Sequence, residues 1–197
     1  MTSPTADSHL LWGAILLGGA SKRMGGDKAL IEFGGKPLIS IVHQALIDAG
    51  IIKCIAIGGD GETYRHKIPN LLTVPDDFPG EGPLGGIITA LRNAPSDRTK
   101  MVILACDLVG VCGASVTAVI DALEANPEAE VAVAVKENQL EPLHGVWRRS
   151  ALADIESSFQ NGTRAVHSAL EDLNIVRVEG LEPKWLRNVN TRQDLLQ

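Results

Sequence analysis

Short apolar runs alternate with segments of helical spacing along almost the whole chain, and this alternation strongly limits its fold. The runs at 14–17 and 101–105 are short and continuously apolar, which predicts inner strands buried on both faces. Residues 38–49 place apolar side chains three or four positions apart, which predicts a helix that Gly50 is placed to end. Strands alternating with helices predict a three-layer α/β fold with a mostly parallel sheet.

The same signals predict the remaining elements. Thr191 is placed to cap a last short helix near the end of the sequence. A turn is expected at 34–37, strands at 53–57, 71–74, 131–135, 144–148 and 174–178, and helices at 62–68, 84–93, 115–125, 150–159 and 164–172.

Length and composition limit the class of protein. We expect residues 1–10, which are polar and lack an apolar secretory core, to be a mobile tail, and residues 11–197 to form a single domain. The net charge of −6 argues against general nucleic-acid binding, which needs a basic surface. No run reaches about 18 apolar residues, so no membrane span is expected. Three cysteines without a CxxC pair suit a reducing cytoplasm.

A glycine-rich loop follows the first predicted strand and carries several cations. Glycine lets the backbone approach a ligand closely, and converging N–H groups can bind phosphate oxygens. Arginine and lysine add donors and positive charge, so the loop favours a polyphosphate ligand. The alternative is an ordinary turn with solvated charges. The glycines are Gly18, Gly19, Gly25 and Gly26, and the cations are Lys22, Arg23 and Lys28.

Polar residues follow three more predicted strands: Gly58-Gly59-Asp60, Asp76-Asp77 and Asp107. Because parallel sheets bind ligands outside the carboxyl ends of their strands, these residues are expected at one edge. Asp107 directly follows a buried strand, where a carboxylate needs a strong partner. It could bind Mg²⁺ together with substrate phosphates, or it could only cap the loop or the next helix.

Two further segments are candidates for binding. Gly82-Pro83-Leu84 precedes a predicted helix, so it could hold a ligand at the helix N-terminus or serve only as the helix entry. Asn188 and Asn190 share one face of an extended segment and could ligate a metal or bind a base or phosphate, although capping the last helix is the better interpretation. His144 precedes an apolar run, and a structural role is expected for it.

The segment LLGGASKRMGGDKALIEFGGKPL, residues 16–38, resembles the signature loop of nucleotidyltransferases. It is most similar to that of the MobA-like molybdenum cofactor guanylyltransferases. Other landmarks of that family follow in the same order, and the resemblance covers essentially residues 12–197. These landmarks are 82–86 (GPLGG), Cys106-Asp107, 141–143 (EPL) and 188–191 (NVNT).

The resemblance implies a Rossmann-like nucleotidyltransferase fold and a Mg²⁺-dependent reaction. GMP would pass from GTP to the terminal phosphate of molybdopterin, with release of pyrophosphate. Residues up to about 110 would bind the nucleotide, and residues from about 111 to 197 the acceptor. The implied nucleotide contacts are Leu16, Leu17, Gly18, Gly19, Lys28, Asp76 or Asp77, Gly82, Pro83, Leu84 and Asp107. The implied catalytic residues are Arg23, Lys28 and Asp107. Asp107 and Asn190 would ligate the metal, and Asn188 and Asn190 would lie on the acceptor side.

The resemblance also implies protein partners, and alternative functions stay open beside it. A cytoplasmic enzyme of this kind would make transient contact with molybdenum-insertion proteins and recipient molybdoenzymes. The rivals are cytidylyl transfer to molybdopterin, another small-molecule nucleotidyltransferase, and a non-catalytic protein that binds or delivers the cofactor. Gly18-Gly19 argues mildly against the cytidylyl relatives, which tend to show Ala-Gly there. Leu17 replaces the family's usual alanine, and the Gly58-Gly59-Asp60 region replaces an asparagine expected for base recognition.

Overall fold

The computed structural model describes residues 10–17, 27–69, 71–191 and 193–196. Residues 1–9 of the predicted tail lie outside the described residues, as do Gly18, Gly19 and Arg23 of the glycine-rich loop. The described strands are β1 (Leu11–Leu16), β2 (Glu32–Phe33), β3 (Lys36–Pro37), β4 (Cys54–Ile57), β5 (Leu72–Val74), β6 (Lys100–Ala105), β7 (Val131–Lys136), β8 (Gln139–Arg148) and β9 (Ile175–Val178).

Seven of these described strands form one sheet in the order β5-β4-β1-β6-β8-β7-β9. The ladders β4–β5, β1–β4, β1–β6 and β7–β9 are parallel, whereas β8 is antiparallel to both β6 and β7. The prediction of a mostly parallel sheet is therefore confirmed. From β1 the chain adds β4 and β5 on one side, and it then returns to place β6 on the other side of β1. Such a reversal of strand order leaves a crevice at the carboxyl ends of the strands, where a ligand can bind.

Helices cover both faces of the sheet, which confirms the three-layer prediction. One core lies under α1 and α4, and the other lies under α3, α5 and α6. Among the described residues, no helix is both long and apolar enough to cross a membrane. The helices are α1 (Leu38–Asp48), α2 (Gly61–Arg65), α3 (Pro83–Arg92), α4 (Gly113–Glu124), α5 (Leu152–Gln160) and α6 (Val166–Leu170).

The main departure from the predicted elements is β8, which begins five residues before the expected strand at 144–148. A two-residue turn with positive φ at Glu137 (50°) and Asn138 (66°) joins β7 to β8, as tight hairpins require. Pro142 is tolerated because the β7–β8 register skips from Val133↔Gly145 to Ala134↔Glu141. The helices expected at 62–68 and 164–172 are also shorter than predicted.

His144 of β8 lies inside the protein, which agrees with the structural role expected for it. Its side chain is 0% exposed, and neither ring nitrogen has a hydrogen-bond partner among the described residues. Burial lowers the pKa of His144 from 6.5 to about 4. Because the pKa is lower in the folded state, the unfolded chain takes up the proton first, and stability that is intact above pH 6.5 is lost as the pH falls toward 4.

We therefore expect the free energy of unfolding to fall by about 3 kcal/mol between these pH values through His144 alone. His144→Leu should flatten this part of the pH profile, and His66→Gln, at an exposed position, should leave it unchanged. Urea unfolding at several pH values measures the effect. Equal acid sensitivity in wild type and His144→Leu would assign the loss to other groups.

Candidate functional site

The ends of four neighbouring strands build one rim at the carboxyl edge of the sheet. β5, β4, β1 and β6 lie side by side, so the residues that follow them meet there. Backbone bonds continue past the strand ends, since Leu17 N–H donates to the Ile57 carbonyl at 3.0 Å and Cys106 N–H to the Leu16 carbonyl at 3.2 Å. The side chains of Leu16 and Leu17 are buried, so these two residues form the floor of the rim.

A lysine and a carboxylate face each other at this rim. Lys28 Nζ lies 2.6 Å from Asp107 Oδ2, and the two side chains are 17% and 20% exposed. Lys28 begins a short 3₁₀ turn, Lys28–Leu30, which Asp27 caps through the N–H of Ala29. The structure thus brings together two residues that are 79 positions apart and that the sequence analysis assigned to one site. Partial burial strengthens the attraction between their charges compared with a pair in open water.

The backbone of the Asp107 loop is bound to the segment that carries the two asparagines. Val189 N–H donates to the Asp107 carbonyl at 3.0 Å, and Gly110 N–H donates to the Arg187 carbonyl at 3.1 Å. Val189 is fully buried, while Asn188 is half-buried and Asn190 is exposed. The asparagine segment therefore lies beside Asp107.

The predicted cap of the last short helix also takes part in hydrogen bonding. The Asp194 carboxylate accepts the N–H groups of Asn190 (2.8 Å) and Thr191 (2.7 Å), and the Thr191 hydroxyl accepts the N–H of Asp194. These bonds lower the pKa of Asp194. The capping bonds use the backbone of Asn190, so they place no demand on its side chain.

The structure separates Asp76 from Asp77, which the sequence analysis could not do. Asp76 Oδ1 lies within hydrogen-bonding distance of the Phe78 N–H and the Thr89 hydroxyl, and its Cβ lies against Gly58 at the end of β4. Asp77 is exposed, and its Oδ2 lies 2.8 Å from Arg92 Nη1. The Asp77 carboxylate is therefore engaged by Arg92 of α3, whereas Asp76 lies near Gly58 at the end of β4.

The helix α3 begins at the same rim. Gly82 has φ of +87°, a conformation that favours glycine, and Pro83 is the first helical residue. The Leu84 side chain is fully buried, so the segment offers backbone N–H groups rather than side chains. On its outer side, Arg164 Nε lies 2.5 Å from Glu81 Oε2 and so ties the α5–α6 loop to the α3 entrance.

Glu141 is a residue of this edge whose role the sequence analysis missed. Glu141 lies on β8 opposite Ala134 of β7, and it is near enough to Asp107 for the charge of that carboxylate to act on it. Burial raises the pKa of Glu141, the charges of Lys136 and His167 lower it, and Asp107 raises it. The EPL segment had marked Glu141 only as a family landmark, and the antiparallel pairing of β8 shows where it lies.

The described residues fit a metal held jointly with the substrate. Among them there is no group of three or more His, Cys, Asp or Glu side chains that could hold an ion alone. Asp107 supplies one carboxylate, and hard cations such as Mg²⁺ commonly use one or two carboxylates together with substrate phosphates. Nucleotidyltransferases generally use a divalent metal, and the oxygen donors at this rim are compatible with one.

Open α/β sheets bind ligands outside the carboxyl ends of their strands, so fold and rim define a ligand-binding α/β protein. A family model described as the MobA-like NTP transferase domain matches residues 13–176. The chain belongs to this family and is a nucleotidyltransferase.

Similar proteins support this placement over nearly the full length. A molybdenum cofactor guanylyltransferase of Vibrio cholerae is 30% identical over 100% of this chain and 95% of its own. A probable molybdenum cofactor guanylyltransferase of Pelotomaculum thermopropionicum is 32% identical over 94% of this chain and 90% of its own. The crystal structure of molybdopterin-guanine dinucleotide biosynthesis protein A from Archaeoglobus fulgidus has a TM-score of 0.74 at 26% identity, with 93% of this chain and 94% of that one covered.

Proposed function

We propose that this protein is a cytoplasmic molybdenum cofactor guanylyltransferase that transfers GMP from Mg-GTP to the terminal phosphate of molybdopterin. The observation that carries the proposal is the Lys28–Asp107 pair at the carboxyl edge of the sheet. It supplies a cation for phosphate oxygens beside a carboxylate suited to a phosphate-bound cation. The names of the similar proteins support guanine as the base and molybdopterin as the acceptor.

The nucleotide would lie on the half formed by residues 11–110. Leu16, Leu17, Gly18 and Gly19 would border the base and ribose, and Arg23 with Lys28 would bind the phosphates. Asp76 lies closer to the rim than Asp77, and the α3 entrance at Gly82, Pro83 and Leu84 would add backbone donors. The order β5-β4-β1-β6, which brings the ends of these strands to one edge, supports this assignment.

The acceptor would lie on the half formed by residues 111–197, next to the asparagine segment. An oxygen of the acceptor phosphate would attack the α-phosphorus of GTP, and the bond from that phosphorus to pyrophosphate would break. Lys28 and Arg23 would stabilise the charge that develops on pyrophosphate. Asn188 and Asn190 would orient the acceptor phosphate, and molybdenum-insertion proteins and recipient molybdoenzymes would be transient partners.

Asp107 and, beside it, Asn190 would hold Mg²⁺ against the phosphates of GTP. When bound, the ion would polarise phosphoryl oxygens and neutralise their charge. Lys28 would stay within reach of the same phosphates, because it is anchored beside Asp107 at 2.6 Å.

Turnover with four nucleotides tests the proposal. The protein is incubated with molybdopterin, Mg²⁺ and either GTP, CTP, ATP or UTP, and pyrophosphate release and the dinucleotide product are measured. GTP should be preferred by about tenfold or more, equivalent to roughly 1.4 kcal/mol. A preference for CTP would replace the guanylyl assignment by cytidylyl transfer, and nucleotide binding without turnover would favour a carrier protein.

The two neighbouring aspartates give a matched test of nucleotide binding. We expect Asp76→Asn to raise the KM for the nucleotide by about tenfold, or roughly 1.4 kcal/mol, because Asp76 borders the rim. Asp77→Asn should change KM by less than about twofold, since it breaks an exposed pair with Arg92. Steady-state kinetics of both variants decide this, and the reverse ranking would place Asp77 in the site.

A further inference from the structure

A chain of contacts connects the core of the protein to Lys28. Tyr64 of α2 is 1% exposed, and its hydroxyl donates to Asp27 Oδ2. The other oxygen of the same carboxylate, Oδ1, accepts the N–H of Ala29 at 3.0 Å. Asp27 therefore connects a rigid core residue to the 3₁₀ turn from which Lys28 reaches Asp107.

From this chain of contacts we propose that Tyr64 is a positioning residue: its hydroxyl holds Asp27, and Asp27 sets where the Lys28 ammonium meets Asp107. The catalytic part of this inference rests on the proposed function. The structural part does not, because it concerns only the geometry of residues 27–31.

Gly59 makes room for Tyr64. A Cβ added to Gly59 would lie 2.6 Å from both Cε2 and the hydroxyl oxygen of Tyr64, and Gly59 has φ of +75°. Any side chain at this position would therefore displace the Tyr64 ring and would also strain the backbone. Gly59 lies in the double glycine after β4, in the region where the family's asparagine for base recognition was expected. In this chain it leaves the space that the Tyr64 ring occupies.

The short helix α2 is fixed at its start by Asp60. Oδ1 of Asp60 accepts the Glu62 N–H at 3.2 Å, and Oδ2 accepts the Thr63 hydroxyl at 2.8 Å. Asp60 is thereby engaged as an N-cap, which orients the helix that presents Tyr64. Burial raises the pKa of Tyr64, and the hydrogen bond to Asp27 raises it further, so the phenol stays protonated as a donor at neutral pH.

The turn that Asp27 caps packs into the core through the fully buried Ala29, but few backbone hydrogen bonds hold it together. Its backbone bonds run from Leu30 N–H to the Asp27 carbonyl and from Ile31 N–H to the Lys28 carbonyl, both at 3.1 Å. A single 3₁₀ turn is weak in isolation. When the Tyr64 hydroxyl is removed, Asp27 Oδ2 loses its donor, the carboxylate can rotate, and Lys28 loses its fixed distance to Asp107.

Tyr64→Phe tests the inference because it removes only the hydroxyl. The matched control is Thr73→Val, which removes a buried hydroxyl from β5 that has no hydrogen-bond partner among the described residues. Amide hydrogen exchange is measured by mass spectrometry on peptides that cover 27–33, without any substrate. We expect exchange there to be about tenfold faster in Tyr64→Phe, with the rest of the chain and Thr73→Val unchanged.

Kinetics give the second readout. In Tyr64→Phe we expect kcat to fall about tenfold while the KM for GTP changes less than about twofold, because Lys28 acts mainly on charge that develops in the transition state. Asp27→Asn should show the same pattern, and the double variant should be no worse than the single ones, since the two residues act through one contact. The melting temperature of each variant is recorded alongside.

These results distinguish positioning from general stability. Faster exchange spread evenly over the chain, or effects of Tyr64→Phe and Asp27→Asn that simply add, would overturn the inference. If Tyr64→Phe does not fold, Asp27→Asn alone provides the exchange test. A wild type that does not turn over GTP would overturn the proposed function, while the substrate-free exchange experiment would still decide the role of Tyr64.

Discussion

Asp107→Asn is expected to lower turnover by about a hundredfold or more, because it removes the negative charge that pairs with Lys28 and suits a phosphate-bound cation. The amide keeps the shape of the side chain and one weak oxygen ligand. We therefore expect the variant to fold, to need far more Mg²⁺ for half-maximal rate, and to remain slow at saturating metal. Lys28→Ala should reduce turnover to a similar degree without a raised Mg²⁺ requirement.

Rate against Mg²⁺ concentration, measured together with the melting temperature, tests this prediction. Asp121→Asn, at an exposed position of α4, is the matched control and should behave as wild type. A variant at Asp107 that is less stable but has an unchanged Mg²⁺ requirement would show that the residue only caps the loop. The metal would then have to be sought at Asn188, Asn190 or Asp76.

Gly110→Ala is expected to destabilise the protein and to reduce turnover, although Gly110 is not itself a predicted site residue. A Cβ at this position would lie 1.8 Å from the Lys184 carbonyl oxygen and 3.1 Å from the Arg187 nitrogen, so backbone would have to move. Overpacking of this kind costs about 3 kcal/mol, which corresponds to roughly 6–12 °C in melting temperature for a chain of this size.

The loss of turnover in Gly110→Ala follows from the direction of that movement. Gly110 N–H donates to the Arg187 carbonyl, and Asn188 is the next residue along the chain. Displacing the backbone around Arg187 would separate the asparagine segment from Asp107. Gly50→Ala is the control, because Gly50 has φ of +84° but open space around it. It should cost about 1 kcal/mol and leave kcat unchanged.

A fully active Gly110→Ala protein would show that the 184–190 segment can move without affecting the reaction. The close approach of two backbone segments gives the physical reason for glycine at this point, since no other residue leaves the required space.

The sequence by itself determined the layers of this protein and the edge where its site would lie. Continuous apolar runs specified inner strands, and helical spacing specified their covers, because burial on one or both faces follows directly from the order of apolar residues. A polar residue directly after a buried strand, as at Asp107, can lie only at the end of that strand. The residues of the rim were therefore predictable from the polar segment that follows each of β1, β4, β5 and β6.

Only the tertiary structure decided which residues of the rim meet. Asp76 and Asp77 are equivalent by spacing, and they differ because Arg92 on α3 pairs with one of them. Tyr64 and Asp27 are 37 positions apart, and no local pattern relates a buried phenol to that carboxylate. Such contacts depend on how whole layers pack against one another, which local spacing does not encode, whereas strand burial depends on neighbours along the chain.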